Sequence, residues 1–293
     1  MKTRNITITC STLCALLCLL PLHLFAACPP AAEIEARATA FLEKRPLDLY
    51  STELSLADAY CAQEKYVAAL IPRFGQPIGY KVGFTSKGLQ ERFQIEGPAL
   101  GVLLEKMLLP DGATFSLDSA YRPVIEPDLV VTIKDEGIMA AQNELEVAAH
   151  LDELRPFLEL PAISFTKETQ LSGTTLVACN IAARAGVAGA GRKVEATPAF
   201  VQALADMETV FTDETGALLQ KEPGSNLLGH PLQAVLWLIE ELQARGETLH
   251  AGQVISLGGF GKLFPLQEAG KTYTLTYMGL PGGPLSTSVT ISE

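Results

Sequence analysis

Two carboxylates, Glu126 and Asp128, stand two positions apart at the head of the apolar run Leu129-Val130-Val131-Thr132-Ile133. That β-branched composition is typical of a buried strand. In an extended chain, side chains two apart point to the same face, so the two acids project together. Adjacent anions repel unless something positive lies between them, and a hard divalent cation with oxygen ligands is the simplest such partner. Alone, the pattern also reads as an exposed strand edge with two solvated acids. Glu159, set among Phe157, Leu158 and Leu160, is either a third carboxylate ligand or an edge residue facing water. Lys81 stands between Tyr80 and Val82 in the segment 75–86, and a lysine there is costly to bury unless paired. It reads as a cation set against an anionic substrate or developing enolate, or as a lysine on a solvated face.

These groups need elements to hold them. A short strand carrying Lys81 is expected to run into Gly83 and Thr85-Ser86, followed by loop-then-strand over 97–104 and strand-then-turn over 107–112. Upstream, residues 31–44 read as a helix, and a second begins after Ser55, with Ser55 as N-cap and Asp58 favouring the positive helix start. The stretch 144–154 reads as helical and 155–161 as a short extended segment. Residues 176–189 are rich in Ala and Gly, with Asn180 their one side-chain amide. A strand is expected over 208–212 with a turn near Glu214-Thr215-Gly216. An amphipathic helix follows over 231–245, with Leu232, Val235, Leu236, Ile239 and Leu242 on its buried face. His230 reads as packing the entrance to that helix. The run 249–261 reads as a strand ending in glycines, of which Gly258 and Gly259 allow close approach of a ligand or another strand. The tail, 271–278 and 286–291, alternates as an antiparallel hairpin.

The chain has 293 residues. Residues 1–27 combine a basic start, an apolar run and small residues before Cys28-Pro29-Pro30, the pattern of a cleaved secretory leader. The mature protein is then periplasmic or secreted, with no transmembrane span. Phe25-Ala26-Ala27-Cys28 is also an imperfect lipobox, so Cys28 has three fates open: lipid attachment, a disulfide with Cys61, or a free thiol. Cys179 reads as a buried thiol. Loss of Lys2 and Arg4 with the leader takes the net charge from −11 to −13. So acidic a chain argues against nucleic acid as a partner, which is bound by cationic neutralisation of phosphates.

Five motifs occur in order: Gly79-Tyr80-Lys81-Val82-Gly83-Phe84-Thr85-Ser86; Ile125-Glu126-Pro127-Asp128; Leu158-Glu159; Leu228-Gly229-His230-Pro231 with Trp237-Leu238; and Ala251-Gly252-Gln253-Val254-Ile255-Ser256-Leu257-Gly258. Together the chain resembles the 2-keto-4-pentenoate hydratase and 4-oxalocrotonate decarboxylase branch of the fumarylacetoacetate hydrolase superfamily, from about Leu54 to the C-terminus. The resemblance implies an α+β fold, a mixed β-roll with flanking helices. Its domain would cover 75–293, behind an N-terminal helical arm over 28–74. It implies Mg²⁺ or Mn²⁺ held by Glu126, Asp128 and Glu159, with Asp128 where Glu is more usual. Lys81 takes the catalytic place, with substrate expected against Gly83, Phe84, Ser86, Asn180 and Gly258. The implied function is that of an exported lyase or hydratase acting on a small 2-oxo acid, or its enol, through a metal-stabilised enolate. A homo-oligomer is implied as well. Two departures stand out: Ala99 replaces the Asp that partners the lysine in proton transfer, and Asn180-Ile181-Ala182-Ala183 lacks the usual hydroxyls. Either a nearby group such as Glu91 or Glu96 substitutes, or the reaction differs, or the protein binds metal and carboxylate without turnover.

Overall fold

The computed structural model describes residues 28–293, so the leader expected over 1–27 lies outside the described residues. In chain order the helices are α1 (Ala31–Leu42), α2 (Leu56–Phe74), α3 (Lys87–Phe93), α4 (Glu144–Ala149), α5 (Gly173–Ala178), α6 (Pro198–Asp206) and α7 (Gln233–Arg245). The strands are β1 (Pro77–Gly83), β2 (Ala99–Leu104), β3 (Leu108–Pro110), β4 (Thr114–Ser116), β5 (Val124–Ile133), β6 (Leu151–Leu160) and β7 (Ala185–Ala188). They continue with β8 (Arg192–Lys193), β9 (Glu208–Thr212), β10 (Leu218–Pro223), β11 (Val254–Ser256), β12 (Phe264–Pro265), β13 (Thr272–Met278) and β14 (Leu285–Ser292).

The larger sheet follows the order β2-β1-β11-β5-β6-β7-β3, with β12 joined to β5 and β8 to β6; the smaller is β10-β9-β13-β14-β4. Most pairs are antiparallel, but β1 with β11, β3 with β7 and β14 with β4 run parallel. The fold is the expected α+β mixed roll. Alternation decides its layers. On β5, Ile125, Leu129, Val131 and Ile133 turn into one core with Leu158 of β6, Phe211, Leu275 and Val289 of the smaller sheet, and Val235 and Leu238 of α7. Glu126, Asp128 and Val130 take the opposite face.

A second core covers part of that opposite face. Phe41 of α1, Tyr66 and Leu70 of α2 and Val177 of α5 pack there with Ala99 and Ile181. The capping box at Ser55 and Asp58 forms as its residue types suggest. Cys28 and Cys61 form a disulfide that ties the residue ahead of α1 to α2, and Cys179 is a buried free thiol. Gln63 of α2 donates through Nε2 to the carbonyls of Leu100 and Val177, both at 2.9 Å, binding α2, β2 and α5 together. No helix among the described residues is long and apolar enough to cross a membrane.

Three local expectations change. The helix expected over 144–154 ends at Ala149, and Leu151 opens a ten-residue strand that takes in the short extended segment. The cause is a register shift: Thr132 pairs with Glu153 but Ile133 with Leu151, so β6 carries an extra residue opposite β5. Leu151 and Leu154, three apart, therefore both enter the core and imitate helical spacing. The helix expected from 231 starts at Gln233, and Leu238 replaces half-buried Leu236 on its buried face. In the glycine-ended run, only Val254–Ser256 pairs as strand.

Candidate active site

The site lies on the face of the larger sheet opposite the main core. Glu126 and Glu159 are direct partners across β5 and β6, and Asp128 is two residues along on the same face as Glu126. Lys81 pairs with both Ser256 of β11 and Gly101 of β2. Asp128 is 0 % exposed, Glu159 2 % and Lys81 3 %, so the readings that put them in solvent are excluded. Glu126 is half-buried at the wall of a cavity.

The charges are locally paired. Lys81 Nζ donates to Glu159 Oε1 through a short contact and to the carbonyl of Ile181 at 3.2 Å. Asp128 Oδ1 accepts from the Gly258 amide at 2.9 Å, while its Oδ2 accepts from the Ser256 hydroxyl. Tyr277 reaches from the smaller sheet and donates to the Asp128 carbonyl. Burial works to discharge Lys81, but the charges of Glu159 and Glu126 outweigh it and hold its pKa above the ordinary lysine value. Burial and then the Glu159 charge push Asp128 up to about 7. The same two causes push Glu126 well above the usual carboxylate range.

Backbone conformation aims the remaining groups. Asn180, Ile181 and Ala182 have φ of 58°, 46° and 55°, a left-handed run unusual for non-glycine and most of all for a β-branched residue. It turns the Ile181 carbonyl to Lys81 and its side chain to the cavity. The Asn180 side chain accepts from the Val102 amide at 2.7 Å and donates to the Val102 carbonyl at 2.9 Å, so it clamps β2. Gly259 leaves room for the Glu126 carboxylate where it stands: a Cβ there would meet Glu126 Oε2 at 2.1 Å and push it aside.

Among the residues expected at the substrate, Gly83, Phe84 and Gly258 line the cavity. Ser86 serves as N-cap of α3 and Asn180 as the β2 clamp; neither is among the lining residues. Thr85, which the sequence places beside Ser86 without giving it a role, lines the cavity and is buried. Leu89 and Phe93 also line it, and their four-residue spacing on a short helix was the one signal pointing to them. Ser256 was likewise missed, being a hydroxyl in an apolar strand. His230 lies at the entrance to α7, bonded to the Val201 carbonyl and the Leu232 amide. Ala99 is on the face of Lys81 but packed in the second core with 0 % exposure. Glu91 and Glu96 are exposed and border a separate surface groove.

The donor set suits a hard divalent cation in chemistry and charge: three carboxylates share a low-dielectric face with one lysine, an anionic excess that a cation would relieve. As the side chains stand, no three acidic, His or Cys groups among the described residues converge on a point that could hold an ion. Glu159 is held by Lys81, and Asp128 by Ser256 and Gly258. Loading would therefore require these side chains to rotate toward one another.

No family model matches the chain. It is 30 % identical over 240 residues to 2-oxo-hept-4-ene-1,7-dioate hydratase of Escherichia coli, covering 80 % of this chain and 87 % of that protein. It is 26 % identical over 228 residues to 4-oxalocrotonate decarboxylase of Pseudomonas putida, covering 78 % and 84 %. The solved structure of 4-oxalocrotonate decarboxylase from Pseudomonas putida G7, complexed with magnesium and adipate, superposes with a TM-score of 0.78 at 25 % identity, covering 89 % of this chain and 96 % of that one.

Proposed function

The chain belongs to the 2-keto-4-pentenoate hydratase and 4-oxalocrotonate decarboxylase branch of the fumarylacetoacetate hydrolase superfamily, and from that premise we propose that it is a divalent-metal-dependent lyase acting on a 2-oxo acid or its enol. The observation that carries the reading is the buried Lys81–Glu159 pair facing Glu126 at the cavity floor. Glu126, Asp128 and Glu159 would hold Mg²⁺ or Mn²⁺. When bound, the cation supplies Lewis acidity that lowers the energy of a developing enolate. Lys81 supplies a fixed positive charge and a proton at Nζ beside the substrate's oxygens, and Glu159 holds that ammonium in place. The apolar lining excludes water and strengthens these charges.

The leader pattern over 1–27 and the Cys28–Cys61 disulfide support export to an oxidising compartment, and the family supports a homo-oligomer. With Cys28 disulfide-bonded, its thiol is not open to lipid.

One observation favours a second reading. Among the described residues, Lys81, Glu126 and Glu159 are the only titratable groups lining the cavity, and Ala99 leaves the lysine without the usual proton partner. A protein that binds metal and 2-oxo acid without turnover fits that arrangement. The test is turnover of 2-hydroxypenta-2,4-dienoate and of oxaloacetate with Mg²⁺ or Mn²⁺. Loss of turnover in Lys81→Ala supports the lyase; metal-dependent binding without turnover in the unaltered protein supports the second reading.

A further inference from the structure

A second cleft lies behind the strand that carries Lys81. Lys81 turns to the catalytic cavity, which Phe84, Phe93, Ile163 and Leu263 also line, while its neighbour Tyr80 lines a separate cleft of about 520 Å³. Strand alternation sends the two side chains to opposite faces. Helix α2 forms one side of this cleft, with β1, β2 and the end of α7 around it. Val67, Ile71, Leu100 and Val102 give it apolar surface, and Tyr60 and Tyr80 add aromatic rings.

The best-buried polar residue in the lining is Gln63, 3 % exposed. Its Nε2 donates to the carbonyls of Leu100 and Val177, which settles which end of the amide is the oxygen. Oε1 accepts nothing among the described residues, and it is not one of the polar atoms sealed in the interior. It is an acceptor open to the cleft and in want of a donor.

Charge selects that donor. Among the described residues Arg245 is the one cation in the lining, and it is already engaged: Nε donates to Glu241 Oε1 at 2.9 Å, Nη2 donates to the same oxygen, and the guanidinium lies 3.7 Å from the Tyr60 ring centroid. Glu64 and Glu247 line the same cleft and are exposed. Glu247 receives the Tyr80 hydroxyl at 3.1 Å. Burial and then the Glu247 charge push Tyr80 up to about 12, so the phenol stays a neutral donor. An anion entering here would be repelled by both acids. A cation would be drawn by them, by the aromatic rings and by the net charge of −11.

We infer that this cleft binds a small aliphatic diamine: one ammonium donates to Gln63 Oε1, the methylenes lie along Val67, Ile71 and Leu100, and the other ammonium meets Glu64 and Glu247. Acceptors stand both inside the cleft and at its rim, so a cation at each end of a short hydrocarbon matches it better than a single ammonium.

The test is calorimetry on the purified protein, titrating 1,3-diaminopropane, 1,4-diaminobutane, 1,5-diaminopentane and 1,6-diaminohexane, with n-butylamine and 1,4-butanediol for comparison. Binding at one site is expected, with an optimum chain length, and the diol should not bind. Glu64→Gln and Glu247→Gln should each weaken the best diamine by about two- to fivefold, and n-butylamine should be weaker than it by at least as much. Glu91→Gln, which alters an exposed acid beside another groove, and Glu126→Gln should leave binding unchanged. Loss in Glu126→Gln would put the diamine at the catalytic carboxylates, and equal weakening in Glu91→Gln would reduce it to general surface charge. Either result overturns the inference, as does n-butylamine or the diol matching every diamine, or no binding at all. Gln63→Leu should weaken binding as well; because Gln63 braces β2 and α5, the two surface variants decide the matter even if that variant fails to fold.

Discussion

Glu126 and Glu159 are directly paired residues on neighbouring antiparallel strands, two carboxylates on one face of a buried sheet. The pairing concentrates negative charge where Lys81 is, among the described residues, the one cation lining the cavity. It makes the metal-free site a place of stored repulsion, relieved by a proton, a cation or a substitution.

Glu126→Gln should therefore stabilise the metal-free protein slightly, because it removes the carboxyl whose ionisation burial and Glu159 disfavour. It should also abolish the stabilisation by Mg²⁺ or Mn²⁺ expected of the unaltered protein, about 2.7 kcal/mol at a hundred times the dissociation constant. Thermal melting with and without metal checks both signs. A full metal response in the variant would remove Glu126 from the ligand set.

Lys81→Met should lower kcat by roughly 10²–10⁴-fold, with loss of stability as well, since Glu159 would be left buried without its partner. Lys81→Arg restores charge but not shape, and should recover stability better than turnover. Steady-state kinetics paired with urea denaturation separates the two effects.

Two glycine substitutions should part company. In Gly186→Ala the new methyl would stand 2.0 Å from the Phe157 ring, a buried and poorly yielding neighbour, costing about 1–3 kcal/mol. In Gly259→Ala it would meet only the end of Glu126, which can swing away. Stability should be nearly retained and the metal response lost.

Reducing the Cys28–Cys61 disulfide, or Cys61→Ser, should cost about 2–4 kcal/mol. The bridge closes a loop with a sequence separation of 33 and holds the arm against α2, whose Gln63 braces β2 and α5. An unchanged urea midpoint under reductant would show that the arm is held by packing alone.

Asp213 accepts from the Thr215 hydroxyl and from the amides of Thr215 and Ala217. The Thr215 hydroxyl leads in holding its pKa below the ordinary aspartate value. A depressed carboxylate adds stability above its unfolded pKa, and that share is lost as pH falls through the lower folded value. Asp213→Asn should therefore be less stable than the unaltered protein near neutrality, the gap closing below about pH 4. A gap that persists at lower pH would mean that the carboxylate's charge contributes nothing.

Much of the site was legible in the residues. Glu126 and Asp128 share a face because strand periodicity leaves them no alternative, whereas Glu159 between apolar neighbours read equally as a ligand or as an edge residue facing water, and its burial decides between them. Ser55 with Asp58, the alternating tail and Cys28 with Cys61 were local signals of the same kind. The strand after Ala149 was concealed because a bulge gave Leu151 and Leu154 the spacing of a helix. Glu91 and Glu96 lie close to Ala99 in sequence but face solvent beside another groove.

Residue types and their periodicity alone determined the chemistry on hand: three carboxylates, one lysine and strands to carry them, because charge and alternation are properties of the chain itself. Only the tertiary structure decided that Glu159 comes to face Glu126 and that Lys81 is held by Glu159. It alone placed Phe84, Phe93, Ile163 and Leu263, distant in sequence, around a single cavity. Those outcomes follow from strand register and helix packing, which are set by the whole core at once and leave no local trace in the sequence.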